Sequence, residues 1–236
     1  MKLSFPSPLR LPFGLKIPQL VFAGLGFVPI TCLSISFFGF IPLHVSAKFI
    51  LVPTLLFMIG LGLKYREWGT LALTGLLAGM LATGAYDIFR LTLVEFGVFR
   101  DFIPNIGRLA LSDPNASPFW GYLWRFVCNG GCMGMAMGVL PIRGARQGLL
   151  YGSFICCCLF ATLLFAPSAQ NHLFHLSVIS GVGAMIGHWV YGSVLGGVMN
   201  LWSPLKARQP EIIAPAPIKE IVVTPLPLVS TKAMYR

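Results

Sequence analysis

Charge is what this sequence has least of. Only 10% of its 236 residues are charged, and only seven of them are Asp or Glu, whereas a soluble domain carries roughly a quarter charged residues. A soluble globular protein is thereby excluded. The common catalytic signatures are missing as well: the chain contains no Gly-rich phosphate loop, no nucleophile elbow and no HExxH zinc pair. What it does contain is apolar. Hydrophobic residues make up 56% of it and the mean hydropathy is +0.80, in uncharged stretches that reach the roughly 20 residues a bilayer-crossing helix needs. The fold class expected is an all-α integral membrane protein, a bundle of about six transmembrane helices.

Six spans are expected over about residues 17–43, 45–63, 68–97, 119–140, 147–165 and 173–202, together forming one transmembrane domain over 17–203. Pro29 lies in the middle of the first and should kink it, and Pro53 lies in the second. Residues 100–118 read as an outer loop holding a short interfacial helix near 106–111. The 17 Lys and Arg residues are scattered between apolar segments and form no groove-lining patch, so no nucleic acid is expected and the partner is the lipid bilayer.

Their distribution is topological. Residues 1–16 form a basic N-terminal segment with Lys2, Arg10 and Lys16, and Lys64, Arg66, Arg143, Arg146 and the basic residues after Trp202 fall on the same side of a six-span chain. The opposite loops at 43–46 and 166–172 hold no Lys or Arg, and in the third Arg100 and Arg108 are partly offset by Asp101 and Asp113. Both termini are then cytoplasmic by the positive-inside rule, in a bacterial inner membrane or in the equivalent orientation of a thylakoid or other organellar membrane. Residues 204–236 form a Pro-rich extended C-terminal tail, either a free extension or a strap that docks on other membrane subunits.

Ionisable groups inside a span are costly, so each is paired or functional. Asp87 and Arg90 share a face of the third span at i,i+3 spacing, and Arg125 on the fourth lies at a depth from which it can meet Asp87. The expected cluster is Asp87, Arg90 and Arg125, with Glu95 nearer the surface. It is either an ion pair fixing the register of two helices or a polar cavity, because two guanidiniums against one carboxylate leave a positive surplus. His188, in the middle of the sixth span, is a candidate axial ligand for haem or chlorophyll, or a hydrogen-bonded core residue. His44, His172 and His175 near the outer surface could form a metal site, but no fourth ligand is evident, and Cys128 and Cys132 could present a soft-metal face but are expected to serve as core packing; no metal site is expected.

Glycines recur at four-residue spacing. Gly75 and Gly79 lie in the third span, Gly130, Gly134 and Gly138 in the fourth, and Gly183, Gly187, Gly192 and Gly196 in the sixth. Such faces let helix backbones approach closely, so the third, fourth and sixth spans are expected at the bundle centre and the first two at its edge.

The motifs Leu111-Ser112-Asp113-Pro114-Asn115-Ala116, Gln147-Gly148-Leu149-Leu150-Tyr151-Gly152 and Gly187-His188-Trp189-Val190-Tyr191-Gly192 carry a resemblance. In their order and spacing, residues 110–200 are similar to the YagU-like bacterial membrane proteins. That resemblance implies a small multi-pass inner-membrane protein and no particular reaction. The functional expectation is a non-catalytic accessory or scaffold subunit of a larger membrane complex, the alternative being a small transporter or channel for an anion or proton-coupled solute that uses the Asp/Arg cluster.

Overall fold

In lipid, a lone apolar segment satisfies its own backbone hydrogen bonds only as a helix. The computed structural model describes residues 15–202, and among these residues it contains helices and no strand. The longer helices are α1 (Ile17–Phe37), α2 (Leu43–Lys64), α3 (Arg66–Glu95), α4 (Ile103–Leu111), α5 (residues 118–139), α6 (Ala145–Phe165) and α7 (Val178–Trp202), with one short turn, Ala169–His172, between the last two. The Pro-rich tail expected over 204–236 and the basic segment before residue 15 lie outside the described residues.

Five of the helices, α1, α2, α3, α6 and α7, are long and apolar enough to cross a membrane. The protein is thus an all-α, multi-pass membrane protein. Arg125, Asn129 and its glycines make α5 less apolar than the others. It is also the helix most enclosed by protein, every residue from Cys132 to Val139 being buried.

Local chemistry sets the helix ends, several of which differ from those expected. The first helix stops at Phe37 instead of 43, where Gly39 takes a positive φ of 79° and Pro42 follows. It also bends at Phe27, two residues before Pro29: the Phe27 amide turns back to the Gly24 carbonyl at 3.1 Å. The last helix starts at Val178 instead of 173 because Ser177 and Ser180 cap each other. The Ser180 amide donates to Ser177 Oγ at 3.2 Å and the Ser177 amide to Ser180 Oγ at 2.8 Å. At the end of α3, Gly97 takes a φ of 72° while its amide and that of Val98 donate back to the carbonyls of Val94 and Leu93. This is a Schellman turn, and it folds the following loop back over the helix end.

The centre of the bundle is held by contact of glycine with backbone. A Cβ on Gly75 would stand 2.5 Å from the Gly134 carbonyl oxygen and 2.8 Å from the Gly138 Cα, and one on Gly79 would stand 2.8 Å from the Gly134 Cα. The α3–α5 interface therefore has no room for any larger residue. Gly192 and Gly196 do the same against Gly148 and Gly144 at the start of α6. Gly183 and Gly187 act differently, clearing space for the side chains of Leu93 and Tyr86.

The expectation that α1 lies at the edge is corrected. Gly26 on α1 sits against the Cys132 carbonyl, and Gln19 Nε2 donates to the Val139 carbonyl at 2.9 Å, so α1 packs on α5. α2 is the peripheral helix, with Phe49, Leu56, Phe57, Ile59 and Leu63 all exposed.

Candidate functional site

The Schellman turn after α3 brings Asp101 over the last turns of that helix and builds the principal polar site. Arg90, 1% exposed, donates from Nε to Asp87 Oδ1 at 3.1 Å and from Nη1 to Asp101 Oδ1 at 2.9 Å. Arg125 of α5 donates from Nε and Nη2 to the same Asp87 Oδ1, at 3.2 and 3.0 Å. Tyr122 of α5 closes the ring, its hydroxyl donating to Asp101 Oδ2 at 3.0 Å. Asp87, Arg90 and Arg125 are thus brought together, whereas Glu95 is exposed at the end of α3 and takes no part.

Sequence reasoning missed Asp101 and Tyr122, and Asp101 changes the chemistry. Two guanidiniums face two carboxylates, so the positive surplus expected from three residues does not exist. A signal for Asp101 was present. It stands two residues before the Ile-Pro start of α4, and its Oδ1 accepts the Ile103 amide at 3.3 Å, as a residue at a helix N-terminus does. Nothing local marks Tyr122 as its partner. One atom of the cluster stays unsatisfied: Asp87 Oδ2 is buried without a hydrogen-bond partner.

Beside the cluster lies a cavity of about 260 Å³. Its wall includes Tyr86 of α3, Arg125 and Asn129 of α5 and His188 of α7, the hydroxyl residues Thr31, Ser34 and Thr162, and apolar residues such as Phe37, Ile106, Leu159 and Phe174. The α5 residues come from a π-helical segment, Trp124–Gly131, a departure from α-helical register that is frequent at functional sites. Tyrosine hydroxyls from neighbouring helices brace this stretch of α5, Tyr191 donating to the Gly130 carbonyl and Tyr151 to the Met133 carbonyl, both at 2.7 Å.

His188 is held in place by its own helix and by a neighbouring ring. Its Nδ1–H donates to the Ala184 carbonyl at 2.7 Å, and Tyr86 packs edge-on against the ring with centroids 5.2 Å apart. Of the other three histidines, His172 stacks on Phe37 and its Nδ1 faces Asn105 Nδ2 at 3.1 Å, while His44 and His175 are exposed. Among the described residues no three His, Cys, Asp or Glu side chains converge as metal ligands. Cys132 is buried and Cys128 half-buried within the packing around α5.

At the C-terminal end of α5 Arg143 forms a second polar site, which the spacing of charges did not announce. Its guanidinium donates to the carbonyls of Leu140 and Ile142 at 2.6 Å and of Gly138 at 2.9 Å, capping the C-terminus of α5. Burial presses its pKa below the ordinary arginine value, yet a guanidinium in a protein keeps its charge. Neither polar site contains an unpaired nucleophile beside a base. No family model matches this chain, and no curated protein or solved structure matches it either.

Proposed function

We propose that this chain is a non-catalytic integral membrane protein, an accessory or scaffold subunit of a larger membrane complex. The observation that carries the proposal is the closed, charge-balanced cluster: Asp87, Asp101, Arg90 and Arg125 neutralise one another and tie α3, α5 and the outer loop together. An ion network buried at Asp87 and Arg90 and open only at Asp101 is the kind of arrangement that can fix how helices meet. Glycine interfaces with no spare volume add to the support, since they favour one fixed arrangement.

In this proposal α5 is a sixth span and both termini are cytoplasmic, in keeping with the positive-inside distribution of Lys and Arg, and the membrane is a bacterial inner membrane. The similarity of residues 110–200 to YagU-like proteins belongs to the same proposal. Partner subunits are engaged through the tail after Pro204, whose Pro, Ile and Val residues suit an extended docking strap.

The test is chemical cross-linking in the native membrane followed by mild solubilisation. Stoichiometric partner subunits are expected, with cross-links to the tail. The transport alternative is favoured by one observation, the unsatisfied Asp87 Oδ2 inside the bundle. A protein that purifies alone and supports solute flux in proteoliposomes, with the flux lost in Asp87→Asn, would replace the scaffold proposal with that one.

A further inference from the structure

The cavity beside the cluster is apolar along most of its wall, the hydroxyls of Thr31, Ser34 and Thr162 are hydrogen-bonded within the protein, and the polar end formed by Arg125, Asn129 and His188 has a definite hydrogen-bonding character. His188 is 8% exposed, and its Nδ1–H is committed to the Ala184 carbonyl. In the neutral ring Nε2 is therefore an acceptor, and it has no donor from the protein. Asn129 is 9% exposed and its amide makes no hydrogen bond in the protein; its Oδ1 is buried unsatisfied. Arg125 commits Nε and Nη2 to Asp87 and keeps Nη1 for something else. Two side chains more than nine-tenths buried are thus left with unmet hydrogen-bonding capacity in a cavity wall, an arrangement native interiors rarely leave empty of a partner.

The occupant's chemistry follows by elimination. It must donate, because His188 Nε2 accepts; it is best able also to accept, because Arg125 and the Asn129 amide offer N–H groups; and it carries no charge, because the neighbouring ions already balance. A hydroxyl meets all three conditions. A carboxylate or phosphate ester anion fails the first and third, and a ketone or quinone carbonyl fails the first.

The shape indicates where the occupant comes from. The cavity lies between α1 and α6, where the lining residues Thr31, Phe154 and Cys158 are exposed, so it opens sideways toward lipid. At about 260 Å³ it is smaller than the roughly 300–1,000 Å³ of pockets that enclose a whole drug-sized ligand. It holds a headgroup and the first part of a chain, the rest lying in the bilayer.

We infer that this cavity binds a membrane-resident long-chain alcohol, its hydroxyl held by His188 and Asn129 and its chain leaving between α1 and α6. The site goes beyond the scaffold proposal and does not depend on it.

The test uses the full chain in lipid nanodiscs and three probes that share one alkyl chain bearing a diazirine and an alkyne: the primary alcohol, its methyl ether and the corresponding carboxylate. After photolysis the alcohol is expected to label residues around Thr31 and Phe154 saturably. The ether and the carboxylate are each expected to label about tenfold less, the consequence of one lost or mismatched hydrogen bond. His188→Phe should lower alcohol labelling by a similar factor, and His188→Gln, which keeps an acceptor, should restore part of it. Cys158→Trp, at the exposed mouth, tests the same point without disturbing the polar end. Equal labelling by alcohol and ether, stronger labelling by the carboxylate, or labelling unchanged in both His188→Phe and Cys158→Trp would each overturn the inference; the first of these would mean that water satisfies the polar end.

Discussion

Arg90 is among the largest fully buried side chains in the molecule, and it survives there because every direction it points has an acceptor or a ring: Asp87, Asp101, the Tyr122 hydroxyl and the face of Phe102. Breaking one partner of a buried pair leaves an uncompensated charge and costs about 3–5 kcal/mol. Asp87→Asn should accordingly lower the thermal stability of the purified protein by that order, and Asp87→Asn with Arg125→Gln should recover part of the loss because Arg90 keeps Asp101. Asp87→Asn with Arg90→Gln should recover little, since Arg125 is then the cation without a carboxylate. Equal recovery in the two double variants, measured by thermal unfolding, would show that the pairing does not follow the contacts described.

Arg143 makes a separate prediction at this scale. Charge-assisted hydrogen bonds at a helix C-terminus are worth about 1–3 kcal/mol, so Arg143→Gln should destabilise by that amount. Arg143→Lys should rescue only part of it, because an ammonium cannot serve several carbonyls with one planar fork. An unchanged unfolding temperature in Arg143→Gln would remove the cap from the list of stabilising features. At the residue scale the sequence made Asp87, Arg90 and Arg125 conspicuous because a charge inside an apolar run is visible by composition alone. Asp101 was marked only by its place before the Ile-Pro start of a helix and Arg143 by nothing, since a charged residue in a loop is ordinary until the chain folds back on a helix end.

Among the elements, the glycine faces decide which helices touch. With so little space between α3 and α5, Gly134→Ala would drive a methyl into the Gly79 backbone, and we expect a loss of about 3 kcal/mol. Gly24→Ala is the control: no atom lies within 4 Å of the added carbon, and relief of glycine's backbone entropy predicts a gain of about 0.5–1 kcal/mol. If both substitutions proved equally tolerated, backbone contact would not be what holds α3 to α5. The four-residue spacing displayed these faces in the sequence, but it did not say which face meets which. Gly192 and Gly196 meet Gly148 on α6 and Gly144 just before it, a pairing no periodicity discloses because the two stretches lie far apart along the chain.

Taken as a whole, the molecule rests on α5, the helix whose composition is least like a span and whose burial is greatest. In the six-span arrangement α5 crosses the membrane, so a cysteine introduced for Asn115 before it and one for Arg146 after it should react with an impermeant thiol reagent from opposite faces of a sealed vesicle. Both positions are exposed. Labelling from one face would reduce the spans to the five apolar helices.

The amino-acid sequence by itself determined that the chain is helical and belongs in a bilayer, because apolar length and the scarcity of charge are local properties that survive without neighbours. It also pointed to the buried ions and the small-residue faces. Only the tertiary structure decided that the cluster is neutral, that His188 is bonded to its own helix while facing a cavity, and that α1 packs against α5. These depend on how a loop returns and on which backbones approach, and such long-range contacts leave no periodic trace in the order of residues.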